Sequence, residues 1–296
     1  MASTGPGAVG AGQSAAAVEM LTSRGYRVDR TAYSFRMCGR YAAAKDPDAL
    51  VEEFEVEKSL VDKPLQPDFN VAPTKRVYAV VNHRPKDADE TFVAARQLRV
   101  VRWGLVPSWA KDPAIGSRMI NARVETVAEK PSFKRAFAAR RCLLPADGYY
   151  EWYTPIDTDG PKTKAGKPVK QPFFIKRRDG DSLAMAGLYE WWLDKSRDRA
   201  DPDAWLLTAT IITTSSTDAL GRIHDRMPLI VEHQDWSAWL DPAVSAAEDL
   251  QGLMVPAAHA ELDAYPVSTM VNSVRNNGPE LIEPLPPDEV LPGVLR

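Results

Sequence analysis

Arg140-Arg141-Cys142-Leu143-Leu144-Pro145-Ala146-Asp147-Gly148-Tyr149-Tyr150-Glu151-Trp152 is an apolar run that closes on Gly, two Tyr, a Glu and a Trp. Residues 142–150 read as one strand: the run is short, apolar on both faces and bounded by polar residues. The segments on either side read the same way. Downstream, 173–176 and 183–189 are strands, with Asp179-Gly180 between them as a hairpin signal. Residues 205–214 are a strongly apolar, β-branched strand. Upstream, 76–81 and 92–101 have strand character, joined by the polar tract 83–87, and 69–74 is an extended segment entering a turn. Helices are few and short. Asp46 is a candidate N-cap with Pro47 at the first helical position. Ser132 is a candidate cap for a helix over 133–139. Residues 234–240 and 246–254 complete the set. Many short strands with few long helices favour antiparallel sheets over a doubly wound α/β fold.

The chain has 296 residues, with 37 Lys+Arg against 40 Asp+Glu. That balance excludes a uniformly basic nucleic-acid coat but not a local basic groove. Two cysteines, Cys38 and Cys142, make no disulfide framework and too few thiolates for a structural zinc site. No metal and no cofactor is expected. No apolar run reaches the ~18 residues of a membrane span. The cysteine usage suits a reducing cytosol. Residues 154–171 and 195–203 read as exposed polar loops. From Asn276 onward Pro and acidic residues dominate, and 276–296 reads as an extended or disordered tail. The simplest division is one domain over 37–275.

Met37-Cys38-Gly39-Arg40-Tyr41 looks like the beginning of a protein inside a longer reading frame. Residues 1–36 lack the basic n-region of a secretory signal. They read as an upstream start, as a cleaved pro-segment or as an extension that stays. If Cys38 becomes the first residue, its α-amine and thiol together condense with an aldehyde to a thiazolidine. Reference pKa values of about 8 for the amine and about 8.5 for the thiol leave both reactive forms present near neutrality.

Four further stretches carry candidate chemistry. Arg102-Trp103-Gly104-Leu105-Val106-Pro107-Ser108-Trp109 sets two tryptophans six residues apart, as a packing corner or as a platform for a nucleic-acid base. Asn121-Ala122-Arg123-Val124-Glu125-Thr126 offers Arg123 as a phosphate ligand. Glu151, flanked by aromatics, suits general acid–base work if its pKa is raised. His224, in Ile223-His224-Asp225-Arg226-Met227-Pro228, titrates near neutrality. Cys142 reads as a buried, inert thiol.

These motifs, with Phe-Asn-Val-Ala-Pro-Thr at 69–74, occur in an order that resembles the SOS response-associated peptidase, or abasic-site-processing (SRAP), family over residues 37–285. The resemblance implies an α+β fold, with mainly antiparallel sheets forming a barrel-like core flanked by short helices in a single domain. It implies binding of single-stranded DNA and a covalent thiazolidine crosslink between an N-terminal Cys38 and the ring-opened abasic sugar. Asn121 would hold the reacting groups, while Glu151 and His224 would move protons. Arg40, Arg123 and Arg226 would contact phosphates, and Trp103 would stack on or wedge against a base. A monomer in the cytoplasm, associated with the nucleoid in a bacterium, is the implied setting. A thiol peptidase that processes its own N-terminus and a non-covalent single-strand-binding module are the alternatives.

Overall fold

The computed structural model describes Met1 and residues 39–83, 94–155, 160–216, 218–254 and 262–294. Thirteen strands are defined there: β1 (Tyr41–Ala43), β2 (Lys58–Ser59), β3 (Asp68–Val71), β4 (Arg76–Asn82), β5 (Arg96–Trp103), β6 (Asn121–Arg123), β7 (Arg141–Ala146), β8 (Gly148–Tyr153), β9 (Gln171–Arg177), β10 (Leu183–Leu193), β11 (Trp205–Ser215), β12 (Arg226–Pro228) and β13 (Leu262–Pro266). One sheet runs β13-β9-β8-β1-β3, the other β12-β11-β10-β7-β4-β5-β2. Within the second sheet, β11 also pairs with β5, so β11-β10-β7-β4-β5 close into a five-stranded barrel. Most pairings are antiparallel. The exceptions are β2–β5, β5–β11 and β6–β11. The expected α+β architecture with a barrel-like core is the one observed.

Period-2 alternation fills both faces of the barrel wall. Val77, Ala79 and Val81 of β4 pack with Val101, Trp103, Cys142, Leu144, Ala209 and Ile211 in one buried cluster. Tyr78 and Val80, one residue out of phase, pack with Leu98, Leu143, Ala186 and Ile212 in a second. That second cluster is covered by short helices: α1 (Pro47–Glu53) supplies Leu50, α2 (Lys134–Ala139) supplies Phe137, and a helix over Trp236–Leu240 supplies Trp236 and Trp239. Asp46 caps α1 as expected, accepting from the Ala49 N–H at 2.9 Å. Helix α2 starts one residue late, with Phe133 rather than Ser132 at its N-cap and no side-chain cap. Its anchor is burial of Phe133 and Phe137 together with Arg141, whose guanidinium takes the Phe137 and Ala138 carbonyls. Arg141 also takes the carbonyls of Trp239 and Asp241. Burial lowers its pKa to about 10, so it stays charged.

Three expectations need correction. The run 142–150 is two strands in two sheets, broken at Asp147. Asp147 accepts from the Ala44 N–H at 2.6 Å, and the chain crosses there from barrel to second sheet. Gly148 permits the crossing, because a Cβ there would lie 2.3 Å from Phe174 Cζ. The Asp179-Gly180 turn does not make a hairpin. Gly180 has the positive φ expected, but β9 and β10 on either side of it belong to different sheets. The Pro-rich stretch after Asn276 is anchored through residue 285: Leu281 is fully buried in a 3-10 turn over Pro279–Ile282, and the Leu285 N–H donates to the Pro266 carbonyl at 2.9 Å. The loop 83–87 and the start of the expected strand at 92 fall largely outside the described residues.

Candidate active site

Strand β1 enters the fold directly after Gly39. Tyr41 pairs with Tyr149 and Ala42 with Gly148, and the Tyr150 N–H donates to the Arg40 carbonyl at 3.0 Å. Continuing this antiparallel register sets Gly39 opposite Glu151. Cys38, one residue earlier, lies outside the described residues. Glu151 is an acidic side chain only 3% exposed. Carboxylates are rarely buried without a purpose, since burial penalises the charged form.

The second wall of the site comes from β6, β11 and β12. Asn121 pairs with Ile211 and Arg123 with Thr213, while Thr213 pairs with Pro228 and Ser215 with Arg226. Trp103 ties this wall to β1: its indole N–H donates to the Ile120 carbonyl at 2.9 Å, and its ring meets Tyr41 edge-on. Tyr41, Tyr149, Trp103, Ile211, Leu220 and Met227 form one cluster, with Ile120 and Ile223 packed against it. Arg40, Glu151, Asn121, His224 and Arg226 each lie within two residues of a member. These five expected site residues are thus chain neighbours of residues in or packed against one cluster, although they are spread over nearly 190 positions of sequence.

His224 Nδ1 lies 3.1 Å from the Arg226 backbone nitrogen, 3.3 Å from the Arg226 carbonyl oxygen and 3.2 Å from Asp225 Oδ1. The ring nitrogen of His224 is thus held within hydrogen-bond reach of both backbone and carboxylate groups. The Arg226 guanidinium grips the Glu125 carboxylate and donates to the Thr213 carbonyl at 2.6 Å. This hydrogen bonding holds the Glu125 carboxyl below the usual range. Arg123 is exposed on the same wall. Arg40 donates from Nη1 to Asn70 Oδ1 at 2.5 Å and to the Val271 carbonyl at 2.9 Å. Its guanidinium is thus partly spent on the protein itself.

Trp103 does not have the role expected of it. It is fully buried in the barrel and has no face to offer a base. Trp109, the other member of the pair, is 56% exposed and is the tryptophan that faces solvent. Spacing alone does not reveal which of two tryptophans turns inward. Sequence reading also missed Asn70. It is fully buried, and its amide donates to the carbonyls of Val271, Ser273 and Asn276 at 3.2, 2.9 and 3.0 Å. The available signal was an amide at a core position of a short strand, where only a built hydrogen-bond network tolerates one. Cys142 is buried as expected, and burial pushes its thiol well up. Among the described residues, no three His, Cys, Asp or Glu side chains gather as a metal site.

A sequence model described as SOS response associated peptidase (SRAP) matches residues 37–274. The abasic site processing protein YoqW of Bacillus subtilis (strain 168) is 39% identical over 247 residues, 83% of this chain and 99% of that one. The abasic site processing protein HMCES of Xenopus tropicalis is 33% identical over 228 residues, 73% of this chain and 65% of that one. A solved structure of a protein from Bacteroides thetaiotaomicron superimposes with a TM-score of 0.66 at 25% identity, covering 84% of this chain and all of the other.

Proposed function

Because the chain belongs to the SOS response associated peptidase (SRAP) family, we propose that it processes abasic sites in single-stranded DNA by crosslinking to them through Cys38. The observation that carries this reading is the β1–β8 register, which brings the residue after Cys38 opposite the buried Glu151. The named relatives support the lesion as substrate.

The chemistry follows from the groups available. The α-amine of an N-terminal Cys38 attacks the C1 aldehyde of the ring-opened abasic sugar, and the carbinolamine loses water to give an imine. The thiolate then adds to the imine carbon, the nitrogen takes up a proton, and a thiazolidine ring closes. The net change is one water lost. Glu151 and His224 relay protons in sugar opening, dehydration and closure, and Asn121 orients the reacting groups. Arg123 and Arg226 meet phosphates, with Arg40 contributing what its Asn70 contact leaves open. Trp109 offers its exposed face to a base.

An amide nitrogen at residue 38 cannot form the imine, so the active chain begins at Cys38. Intact mass spectrometry tests both points, before and after incubation with an oligonucleotide bearing one abasic site. The expected product is a chain starting at Cys38 that gains the oligonucleotide mass less one water, and Cys38→Ser gains nothing. A chain that keeps residues 1–36 and still crosslinks refutes the amine mechanism. Catalytic turnover on peptides with the Cys38 amine blocked favours the thiol-peptidase alternative.

A further inference from the structure

The barrel closes over a short seam. On the side away from β4, strand β5 pairs with β2 at Gln97 and Leu98 and with β11 at Arg102 and Trp103. Between those contacts β5 and β11 splay apart, and a groove of about 690 Å³ opens there. Lys63, Arg76, Arg99, Arg102, Trp191 and Trp205 line it. Its carboxylates are Asp62 and Asp203, leaving four cations facing two anions.

These cations are not used up by the fold. Among the described residues, Lys63, Arg76 and Arg102 make no ion pair. Arg76 and Arg102 sit directly opposite each other in the β4–β5 register, and facing like charges on one sheet surface cost stability unless an anion joins them. Arg99 is half-buried, has no carboxylate partner among the described residues and lies over Trp191, 5.7 Å from the ring centroid. Arg199 lies over Trp205 in the same way at 5.5 Å, and the two indoles meet edge-on at 6.5 Å. A guanidinium held flat on an indole keeps N–H groups at its edge for a phosphate. Fixed cations interleaved with aromatic rings are how sequence-tolerant single-strand grooves are built.

The groove is separate from the site above. Arg102 pairs with Thr208 of β11, three residues along that strand from Ile211, the partner of Asn121. The separation is about 10 Å at the strand rise, and the groove leads away from Asn121.

We propose that this groove binds the phosphodiester backbone of single-stranded nucleic acid beyond the reacting nucleotide, which makes it a second contact that lengthens the footprint. The proposal rests on the abasic-site reading for its biological setting.

The test uses the chain beginning at Cys38, as wild type and as Arg76→Gln/Arg102→Gln. Fluorescence anisotropy follows binding of undamaged oligothymidylates of about 16 and about 4 nucleotides across a salt series, and single-turnover crosslinking uses an abasic 4-mer. The double variant is expected to bind the 16-mer at least tenfold more weakly. The slope of log affinity against log salt should fall by about 1.4, for two phosphate contacts at about 0.7 each. The 4-mer crosslinking rate should be unchanged. Lys63→Glu, an exposed substitution, weakens 16-mer binding in the same direction and stands in if the double variant melts early. Wild-type affinity and salt slope in both variants overturn the proposal, as does a groove whose arginines matter for labelled polyglutamate but not for the oligonucleotide. If wild type does not crosslink the abasic 4-mer, the abasic-site reading fails, while the anisotropy arm still judges the groove.

Discussion

Trp103 and Tyr41 meet edge-to-face, with ring centroids 5.1 Å apart and an interplanar angle of 64°. This contact joins the barrel interior to the strand that follows Cys38. Tyr41 is fully buried here, and burial together with the Asp68 charge raises its phenol pKa well above the usual value. The pair is thus a neutral packing element under the candidate site.

The two tryptophans of the 103–109 segment should separate cleanly on mutation. Trp103→Ala empties a fully buried position and should cost about 3–5 kcal/mol in chemical denaturation. Trp109→Ala, at an exposed position, should leave stability within about 0.5 kcal/mol. It should weaken single-stranded DNA binding by about 1–3 kcal/mol in a titration. Equal stability losses in the two variants would contradict the burial seen here.

Asn70 holds three carbonyls of the 271–276 segment and the Arg40 side chain. Asn70→Ala should cost about 1–3 kcal/mol for each buried group left without a partner. Hydrogen exchange should show lost protection at both β1 and 271–276 in the same variant. Loss confined to one of them would separate the two anchors.

Cys142 should be silent toward thiol reagents in the folded protein. In a Cys38→Ser background, Ellman's reagent at pH 8 should detect no thiol before denaturation and one after it. The sign for stability follows from the raised thiol pKa. The fold favours the neutral form, so this contribution is intact below the unfolded value of about 8.5 and is lost as pH rises beyond it.

Glu125 supplies the opposite pH limb. Its folded pKa is depressed, chiefly by the hydrogen bond from Arg226. The associated stability is present above the unfolded value of about 4.3 and is lost as pH falls through the folded one. Thermal melts of wild type and Glu125→Gln should differ at pH 7 and converge as the pH drops below about 4. A gap that widens in acid would reverse the assignment.

Much of the fold was legible because its signals are local. The Asp46-Pro47 helix start and the β-branched strand around Thr208–Ile212 declare themselves through capping and alternation. The break at Asp147 was not legible, since residues on either side of it are equally apolar and only the pairing partners differ. Asp179-Gly180 states that the chain turns, not which strands it leaves beside one another. Composition argued for disorder after Asn276, yet the buried Leu281 and hydrogen bonds at Asn277, Ile282, Leu285 and Leu291 dock that stretch. At the site, Asn121, Glu151 and His224 were recognisable as residue types in motifs. The placing of Asn121 and Arg226 on strands that flank β11 depends on β11 pairing with both β6 and β12, which no local pattern encodes.

The network around Asn70 gives the chain a way of registering its own completeness. Arg40, two positions after Cys38, is held by residues 70 and 271, at opposite ends of the domain. A ribosome that has released only the first 260 residues has made the candidate cysteine, the strand that follows it and the whole barrel, but not the carbonyl of Val271 that takes the Arg40 guanidinium. Premature termination or clipping near residue 270 therefore yields a protein with every candidate catalytic side chain present and the entry strand held only by β3, β8 and Asn70, without the carbonyl of Val271.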